Sequence, residues 1–250
     1  MTDDGGTMGR LDGQGAIVTG GSRGIGRAIV LRLVADGATV VFTYQQDEAA
    51  AKQVAEETDG RAVPVRVDLG VMADVAALFE AADQHLDALD ILVNNAGTAV
   101  ATLIADVTES DYDRLMAVNA KGVFFTIQHA IRRMRDGGRI VSISSANTVM
   151  AGPGVAVYAA SKAAVEQFTR VAARELGSRG ITVNSVSPGA TDTDLLRGTN
   201  SPEGLQRAEQ MTPLGRLGQP ADVADVVAFL LGPDGRWMTG QNLVAAGGLI

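Results

Sequence analysis

Short apolar runs recur along the chain and alternate with longer segments whose apolar residues follow a helical period. Six of these runs have the length and the Val and Ile content of β-strands: residues 15–19, 39–43, 62–67, 91–93, 139–143 and 182–186. Because their apolar residues are continuous, we expect helices to cover both faces of the strands. Strands that alternate with helices are typical of βαβ units and a parallel sheet. The pattern therefore predicts a doubly wound α/β domain.

Local signals mark the ends of several helices. Gly37 follows the first helix, which is predicted over residues 27–36. Residues 108–111 resemble a capping box. Pro220 begins a final helix that ends near Leu231.

The composition along the chain predicts the limits of the domain. Residues 1–10 are rich in Gly and Asp and lack an apolar period, which indicates a flexible tail. Residues 11–250 contain no internal repeat and no linker, so we expect a single domain. The segment Asn200–Pro202 interrupts its late part and predicts a substrate lid around residues 190–215.

The overall composition excludes several function classes. No run reaches the roughly 18 apolar residues of a membrane helix, and the N-terminus lacks a signal-peptide pattern, so we expect a cytoplasmic protein that does not bind membranes. The net charge of −8 disfavours nucleic acid as a partner. Cysteine is absent, which excludes disulfides and thiol nucleophiles. His85 and His129 lack the spacing of a metal site, and we interpret them as solvated or capping residues.

A glycine-rich segment follows the first predicted strand and leads into a helix. Gly20, Gly24 and Gly26 permit a tight turn and a close approach of the backbone to a ligand. The N-terminus of the following helix attracts phosphate through its exposed N–H groups and its dipole. The segment therefore predicts a dinucleotide site, although its Gly-x-x-x-Gly-x-Gly spacing differs from the common Gly-x-Gly-x-x-Gly fingerprint.

Three further motifs follow the glycine segment in order. They are Asn94–Gly97 after the fourth strand, the pair Tyr158 and Lys162 after the fifth, and Pro188–Thr193 after the sixth. From about position 11 to the end, the chain closely resembles the short-chain dehydrogenase/reductase superfamily. The resemblance implies a Rossmann-like fold and an oxidoreductase that interconverts a ketone and a secondary alcohol.

The resemblance also implies which cofactor binds. Relatives that select NAD carry an acidic residue at the end of the second strand, but here residues 43–46 contain none and the first carboxylate is Asp47. Arg23 matches a basic residue that contacts the 2′-phosphate of NADP in relatives, and a guanidinium suits phosphate geometry. Asp68 matches the adenine contact. We therefore expect NADP(H) rather than NAD(H). The expected cofactor contacts are Gly20, Ser22, Arg23, Gly24, Ile25, Gly26, Tyr44, Gln45, Asp68, Leu69, Asn95, Ala96, Gly97, Tyr158, Lys162, Pro188, Gly189, Thr191 and Thr193.

Tyr158 and Lys162 lie four residues apart in a helical segment, so both side chains project from one face of the helix. A free phenol is a poor base at neutral pH, but a neighbouring ammonium lowers its pKa. The resemblance makes Tyr158 the general acid/base, with Lys162 tuning its pKa and binding the nicotinamide ribose. It also implies that Ser145 holds the carbonyl oxygen and that Asn119 orders a water that feeds protons to the lysine. Ser144 is interpreted as structural.

The expected substrate pocket is largely apolar. Ser145, Asn147 and Tyr158 are expected to contact the substrate. By resemblance, further walls come from Val149, Met150, Leu195 and Leu196, which suit an uncharged or aromatic ketone. Predicted helices over residues 121–135 and 158–177 carry long apolar faces that pair between subunits in relatives, so we expect a homotetramer or, next, a dimer.

Two alternatives stay open, and a third is disfavoured. A β-ketoacyl thioester reductase would receive its substrate from a carrier protein, for which a basic surface near the site is required. The candidate basic residues are Arg132, Arg133, Arg135 and Arg179, although Asp136 interrupts the first three. A catalytically idle NADP(H)-sensing module would have the same fold. A sugar-nucleotide epimerase shares the Tyr and Lys pair but has a different glycine spacing and a longer C-terminal region.

Overall fold

A seven-stranded parallel sheet forms the centre of the structure, a computed structural model that describes residues 9–250. Its strands are β1 (Gly15–Val18), β2 (Thr39–Tyr44), β3 (Ala62–Arg66), β4 (Leu89–Asn94), β5 (Met134–Ile143), β6 (Thr182–Pro188) and β7 (Asn242–Ala245). They pair in the order β3-β2-β1-β4-β5-β6-β7. The order reverses between β1 and β4, which opens a crevice at the carboxyl ends of these strands. The predicted doubly wound α/β fold is confirmed.

Helices cover both faces of the sheet. The α-helices within residues 9–250 are α1 (Gly24–Ala35), α2 (Glu48–Glu57), α3 (Met72–His85), α4 (Glu109–Met116), α5 (Val123–Ile131), α6 (Ala156–Leu176), α7 (Asp194–Thr199), α8 (Pro202–Met211) and α9 (Pro220–Leu231). A π-helical turn, Ala117–Gly122, joins α4 to α5. Short 3-10 turns occupy Ile104–Asp106, Ala146–Thr148, Gly177–Arg179 and Pro233–Gly235.

Two apolar cores lie on opposite faces of the sheet. On one face, α1, α2 and α9 bury residues such as Ile29 and Val227 against the strands. On the other, α3, α5 and α6 bury residues such as Leu78, Ile127 and Val165. Because the strands have helices on both sides, their side chains are apolar in both directions. This double cover explains the continuous Val and Ile runs in the sequence.

Most predicted elements are present at the predicted places. All six predicted strands occur, and β4 and β6 extend beyond their predicted ends. Helix α1 begins at Gly24, earlier than predicted, because the last two loop glycines belong to its first turn. Helix α9 spans residues 220–231 as predicted. At the predicted capping box, the Thr108 side chain accepts a hydrogen bond from the Asp111 N–H at 3.1 Å.

The helix predicted over residues 121–135 is wrong at its C-terminal end. Helix α5 ends at Ile131, and β5 already begins at Met134. Met134 is buried and pairs with Leu89 of β4, so this segment joins the sheet and not the helix. Arg179 donates a hydrogen bond to the carbonyl of Ile131 at 2.7 Å and thereby caps the end of α5.

The edge strand β7 was not predicted from the sequence. It pairs in parallel with Ser185–Pro188 of β6. The strand has four residues and is only partly covered, so its apolar pattern is too short to stand out. Its position matters for the site, because the Gly189 N–H donates to the Ala245 carbonyl at 3.0 Å and thereby ties the end of β6 to β7.

Several smaller expectations have separate outcomes. Residues 1–8 of the predicted tail lie outside the described residues, and Arg10 forms an ion pair with Asp234. His85 and His129, interpreted as solvated or capping residues, each lie in the last turn of a helix. His85 is exposed, whereas the His129 ring is half-buried and stacks on Phe79 with centroids 5.3 Å apart, so His129 is not solvated. Within residues 9–250, no helix is both long and apolar enough to cross a membrane.

Candidate active site

A cleft of about 1460 Å³ runs along the carboxyl ends of the strands. Its walls come from the ends of β1, β2, β4, β5 and β6, and from α7 and α8. This is the edge at which the strand order reverses, where open α/β sheets bind ligands. Sites for one small molecule typically measure about 300–1,000 Å³. The cleft therefore has room for a dinucleotide together with a substrate.

The glycine segment between β1 and α1 forms the floor of this cleft. Gly20 has a φ of +68°, which side chains rarely adopt. A Cβ at position 26 would lie 2.0 Å from the carbonyl oxygen of Gly20, so only glycine fits there. Arg23, the residue that precedes α1, makes no side-chain cap, which leaves the first N–H groups of the helix available. The segment therefore fits a pyrophosphate.

Hydrogen bonds hold the glycine segment against two neighbouring strands. The Asn95 side-chain amide donates to the carbonyls of Thr19 and Gly20, each at 3.0 Å. The Thr19 hydroxyl accepts from the N–H groups of Asn95 at 3.0 Å and Ala96 at 3.1 Å. From β2, the Thr43 hydroxyl accepts from the Gly20 N–H at 2.9 Å. The protein itself thus fixes the loop in the shape that a pyrophosphate needs.

The region expected to bind the 2′-phosphate presents no free carboxylate from β2. Tyr44 and Gln45 line the cleft where this strand ends. The Asp47 carboxylate accepts a hydrogen bond at 2.9 Å from the N–H three residues later and so caps α2. The Arg23 side chain is 68% exposed and lies 3.7 Å from Asp194 at the start of α7. The Asp47 carboxylate is occupied by this cap, and the Arg23 guanidinium is exposed. The region therefore suits a phosphate better than a ribose hydroxyl.

Asp68 follows β3 and lines the cleft at the expected adenine position. One of its carboxylate oxygens accepts from the Gln45 side chain at 2.9 Å, and the other from the Gly70 N–H at 2.8 Å. A carboxylate has about four acceptor sites, so Asp68 retains capacity for a ligand. Leu69 is buried beside it.

All residues predicted to contact the cofactor line the cleft: Gly20, Ser22, Arg23, Gly24, Ile25, Gly26, Tyr44, Gln45, Asp68, Leu69, Asn95, Ala96, Gly97, Tyr158, Lys162, Pro188, Gly189, Thr191 and Thr193. The tertiary structure thus brings together segments that are far apart in sequence. Their individual contacts with the cofactor stay predictions.

Tyr158, Lys162 and Ser145 line the same part of the cleft. Helix α6 carries the first two, and the Lys162 Nζ lies 5.9 Å from the centre of the Tyr158 ring. The same Nζ donates to the Ile143 carbonyl at 2.8 Å. Ser145 follows β5, and its hydroxyl accepts from the Asn147 N–H at 3.2 Å. An acid/base, a cation and a hydroxyl donor therefore face the same space.

Burial controls the protonation of both α6 residues. It lowers the pKa of Lys162 to about 8, since the ammonium is removed from water. It raises the pKa of the Tyr158 phenol, and hydrogen bonding with Ser145 opposes this rise. In the protein chain alone, burial therefore outweighs the lowering of the Tyr158 pKa that is expected from Lys162. At neutral pH the phenol is protonated.

Asn119 lies in the π-helical turn directly behind the cleft and is fully buried. Its side chain accepts from the Thr98 N–H at 2.9 Å and donates to the Thr98 carbonyl at 2.8 Å and to the Ser161 hydroxyl at 3.2 Å. A Cβ at Gly97 would lie 3.3 Å from the Lys162 Nζ and 3.4 Å from the Asn119 Oδ1. The asparagine thus supports the wall beside the lysine, and its water-ordering role stays a prediction.

The far end of the cleft is mainly apolar. Asn147, Met150, Leu195 and Leu196 line it at the places expected from the sequence. Val149 does not line it: its side chain is 69% exposed, because the 3-10 turn before it directs this residue outward. The prediction of Val149 as a pocket wall is wrong.

Several residues that shape the site were not predicted from the sequence. They are Thr43 under the glycine segment, and Pro153, Val155, Arg207 and Met211 around the substrate end. Thr43 lies near the end of a strand and belongs to no motif. The others lie on α8 and on the segment before α6, where the backbone path and not a sequence pattern decides what reaches the cleft.

Known proteins share both this sequence and this fold. Residues 20–250 match the family described as Enoyl-(Acyl carrier protein) reductase. The crystal structure of a short chain dehydrogenase from Burkholderia cenocepacia J2315 in complex with NADP superposes with a TM-score of 0.90 and is 41% identical, over 96% of this chain and 99% of that one. The chain belongs to the short-chain dehydrogenase/reductase superfamily.

Two further members of the superfamily are similar over nearly their whole length. The hydroxynaphthalene reductase-like protein Arp2 of Metarhizium brunneum (strain ARSEF 3297) is 42% identical over 96% of both chains. The angucycline C-6 ketoreductase LanV with bound NADP is 45% identical with a TM-score of 0.91, over 96% of this chain and 97% of that one. This short-chain dehydrogenase/reductase is an NADP(H)-dependent oxidoreductase.

Proposed function

We propose that this protein reduces a ketone on an aromatic, fused-ring small molecule, with NADPH as the hydride donor. The reaction class is the interconversion of a ketone and a secondary alcohol. The observation that carries the proposal is that Tyr158, Lys162 and Ser145 line the same part of the cleft, between the expected cofactor contacts and the apolar end. The names of the relatives, a hydroxynaphthalene reductase-like protein and an angucycline ketoreductase, support a flat aromatic substrate.

The side chains divide the work of the reaction. NADPH, held by the glycine segment and the other residues that line the cofactor part of the cleft, would supply the hydride that adds to the carbonyl carbon. The Ser145 hydroxyl donates a hydrogen bond to the carbonyl oxygen and stabilises the charge that develops there. Tyr158 transfers its phenolic proton to the same oxygen, which yields the alcohol. Lys162 stabilises the phenolate until a proton from solvent restores the phenol.

The protonation states favour the reductive direction. A proton donor must hold its proton before the reaction, and burial raises the pKa of Tyr158. Lys162, with a pKa of about 8, is mostly charged at neutral pH and supports the phenolate. Asn147 contributes a polar side chain to the substrate end of the cleft.

We also propose that residues 190–215 act as a lid. Helices α7 and α8 lie in this segment and contribute Leu195, Leu196 and Met211 to the wall of the cleft. These side chains are apolar and would cover a flat ring system, thereby excluding water from the reacting carbonyl.

A free small molecule suits the surface better than a substrate on a carrier protein. The arginines suggested as a basic docking surface are mostly paired with carboxylates. The pairs are Arg133 with Asp83 at 3.2 Å, Arg135 with Asp90 at 2.7 Å, and Arg179 with Asp136 at 2.7 Å. Their charges are thus offset locally, which weakens attraction to an acidic carrier.

The assembly in solution stays a proposal, a homotetramer. Helices α5 and α6 present Phe124 and Val171 to solvent, and apolar side chains of this size favour burial against another subunit. Sedimentation at several protein concentrations would test this, and a monomer alone would contradict it. The cytoplasmic location also stays a proposal, for which cell fractionation is the test.

Titration and turnover test the function together. Purified protein is titrated with NADPH and with NADH, and then assayed with a tetralone, an aliphatic ketone, a β-ketoacyl thioester and an enoyl thioester. We expect tighter NADPH binding and fastest turnover of the tetralone, with Tyr158→Phe inactive but still binding NADPH. Preference for the β-ketoacyl thioester would support the carrier-bound alternative. Binding without turnover on any substrate would favour a sensing module.

A further inference from the structure

A single carboxylate on helix α6 lies near the ends of two strands. Glu166 lies one turn after Lys162. The Ser144 hydroxyl, at the end of β5, donates to the Glu166 Oε1 at 2.8 Å. The Ser187 hydroxyl, on β6, lies 3.4 Å from the same oxygen. Both serines are buried, so these hydroxyls depend on protein partners. None of these contacts follows from the motifs of the superfamily described above.

Each serine directly precedes a part of the active site. Ser144 is followed by Ser145, whose hydroxyl faces the reacting carbonyl in the proposed reaction. Ser187 is followed by Pro188 and Gly189, which line the cofactor part of the cleft. A displacement of either serine would therefore move a group that must be placed to a fraction of an ångström.

Successive turns of α6 hold successive residues of β5. Lys162 binds the carbonyl of Ile143, and Glu166 binds the hydroxyl of Ser144. Because Tyr158 lies on the same helix one turn earlier, these two contacts also set the distance between Tyr158 and Ser145. We propose that Glu166 is a positioning residue that, through Ser144, fixes Ser145 relative to Tyr158.

Glu166 acts in this proposal by accepting hydrogen bonds and not by its charge. Burial alone accounts for the lowered pKa of Lys162, with no contribution from Glu166. An amide oxygen at the same place could accept from the Ser144 hydroxyl equally well. The Ser187 hydroxyl donates its one proton to the Asn242 side chain at 3.0 Å, and the Ser185 hydroxyl donates to the same oxygen at 3.1 Å. Asn242 thus joins β6 to β7, and Ser187 only lies near Glu166.

The inference rests on the proposed reaction, and three variants test it. Glu166→Ala removes the acceptor and Glu166→Gln keeps it, while Glu175→Ala changes an exposed glutamate on the same helix as a control. The readouts are kcat and KM for whichever ketone the wild-type enzyme reduces fastest, the Kd for NADPH, and the Tm. Because this ketone need not be aromatic, the test of Glu166 stays valid even if the proposed aromatic substrate class is incorrect.

We expect Glu166→Ala to lower kcat by about 10-fold to 100-fold, since a displacement of about 1 Å in an active site can cost about 100-fold. KM for the ketone stays within about 3-fold, because binding of the apolar rings is untouched. Glu166→Gln and Glu175→Ala retain kcat within about 3-fold of wild type. Full activity of Glu166→Ala would overturn the proposal, and so would equal losses in the Gln and Ala variants.

A second comparison decides the matter if Glu166→Ala fails to fold. Ser144→Ala removes the donor of the 2.8 Å hydrogen bond but leaves the carboxylate. We expect it to lower kcat by about 10-fold to 100-fold, as Glu166→Ala does, while KM for the ketone stays within about 3-fold. Wild-type kcat in Ser144→Ala, or a loss that appears in KM and not in kcat, would refute the proposal.

Discussion

Lys162 carries a positive charge inside the protein, and the cost of that charge to stability is measurable. Its side chain is only 3% exposed and donates to the Ile143 carbonyl at 2.8 Å. Replacement by methionine keeps an unbranched chain and removes the ammonium. We predict that Lys162→Met abolishes ketone reduction but stabilises the folded protein at neutral pH.

The magnitude follows from the pKa of this lysine. Burial lowers it from 10.5 to about 8. That difference corresponds to about 3 kcal/mol of lost unfolding free energy at neutral pH, at about 1.4 kcal/mol per tenfold change in proton affinity. The variant also loses a hydrogen bond to a buried carbonyl, which costs about 1 kcal/mol. The expected net stabilisation is about 2 kcal/mol.

The stability difference between Lys162→Met and wild type should depend on pH, which a change in packing alone would not cause. Between pH 8 and 10.5 the unfolded chain holds a proton on this lysine that the folded protein has released. The unfolding free energy of the wild type therefore rises with pH across this window, relative to the variant. The advantage of Lys162→Met should shrink as the pH rises and be lost by about pH 10. Because burial also raises the pKa of Tyr158, the phenol in the folded protein ionises at a higher pH than a free phenol.

Urea unfolding followed by circular dichroism measures the difference at about pH 7 and about pH 10. The protein concentration is held constant, because subunit association adds to apparent stability. Lys121→Met, which changes an exposed lysine, is the control and should show no such pH dependence. A stability difference between Lys162→Met and wild type that is the same at both pH values would refute the reasoning.

Three further predictions concern the cofactor and the proton. Arg23→Ala should raise the Kd for NADPH about 10-fold to 100-fold, since charge-assisted hydrogen bonds contribute about 1.5–3 kcal/mol, and should leave the Kd for NADH unchanged. An equal rise of both Kd values would contradict the assignment of Arg23 to the 2′-phosphate. Gly26→Ala places a Cβ 2.0 Å from the Gly20 carbonyl oxygen, so fluorescence titration should show loss of NADPH binding, and retained binding would count against a close approach of pyrophosphate. As Tyr158 ionises at alkaline pH, the initial rate of ketone reduction should fall and that of alcohol oxidation should rise. If both rates change with pH in the same direction, Tyr158 is not the acid/base.

Elements with a strong local pattern were predictable, and weakly patterned ones were not. The six predicted strands carry continuous apolar runs because helices pack on both faces of the sheet. Strand β7 is short and partly exposed, so burial imposes no such pattern on residues 242–245. The end of α5 depends on whether Met134 joins the helix or the sheet, and its pairing with Leu89 decides for the sheet. A contact across 45 residues of sequence leaves no local signal.

In the site, too, features with a local sequence pattern were predictable and the others were not. Tyr158 and Lys162 were predictable as neighbours because four residues make about one helical turn. The glycine segment was predictable because a strand, a tight turn and a helix N-terminus are all local features. Whether Val149 or Met150 enters the cleft depends on the path of a short 3-10 turn, and the prediction for Val149 was wrong for that reason.

The sequence by itself determined the fold class, the superfamily and the candidate catalytic residues, because these follow from periodicity and from the order and spacing of short motifs. Only the tertiary structure decided how those residues behave. Burial, and not the charge of Lys162, dominates the pKa of Tyr158, and burial is a property of packing. Likewise, Glu166 reaches Ser144 and Ser187 only because α6 packs across β5 and β6, which brings side chains more than 20 residues apart into hydrogen-bonding distance.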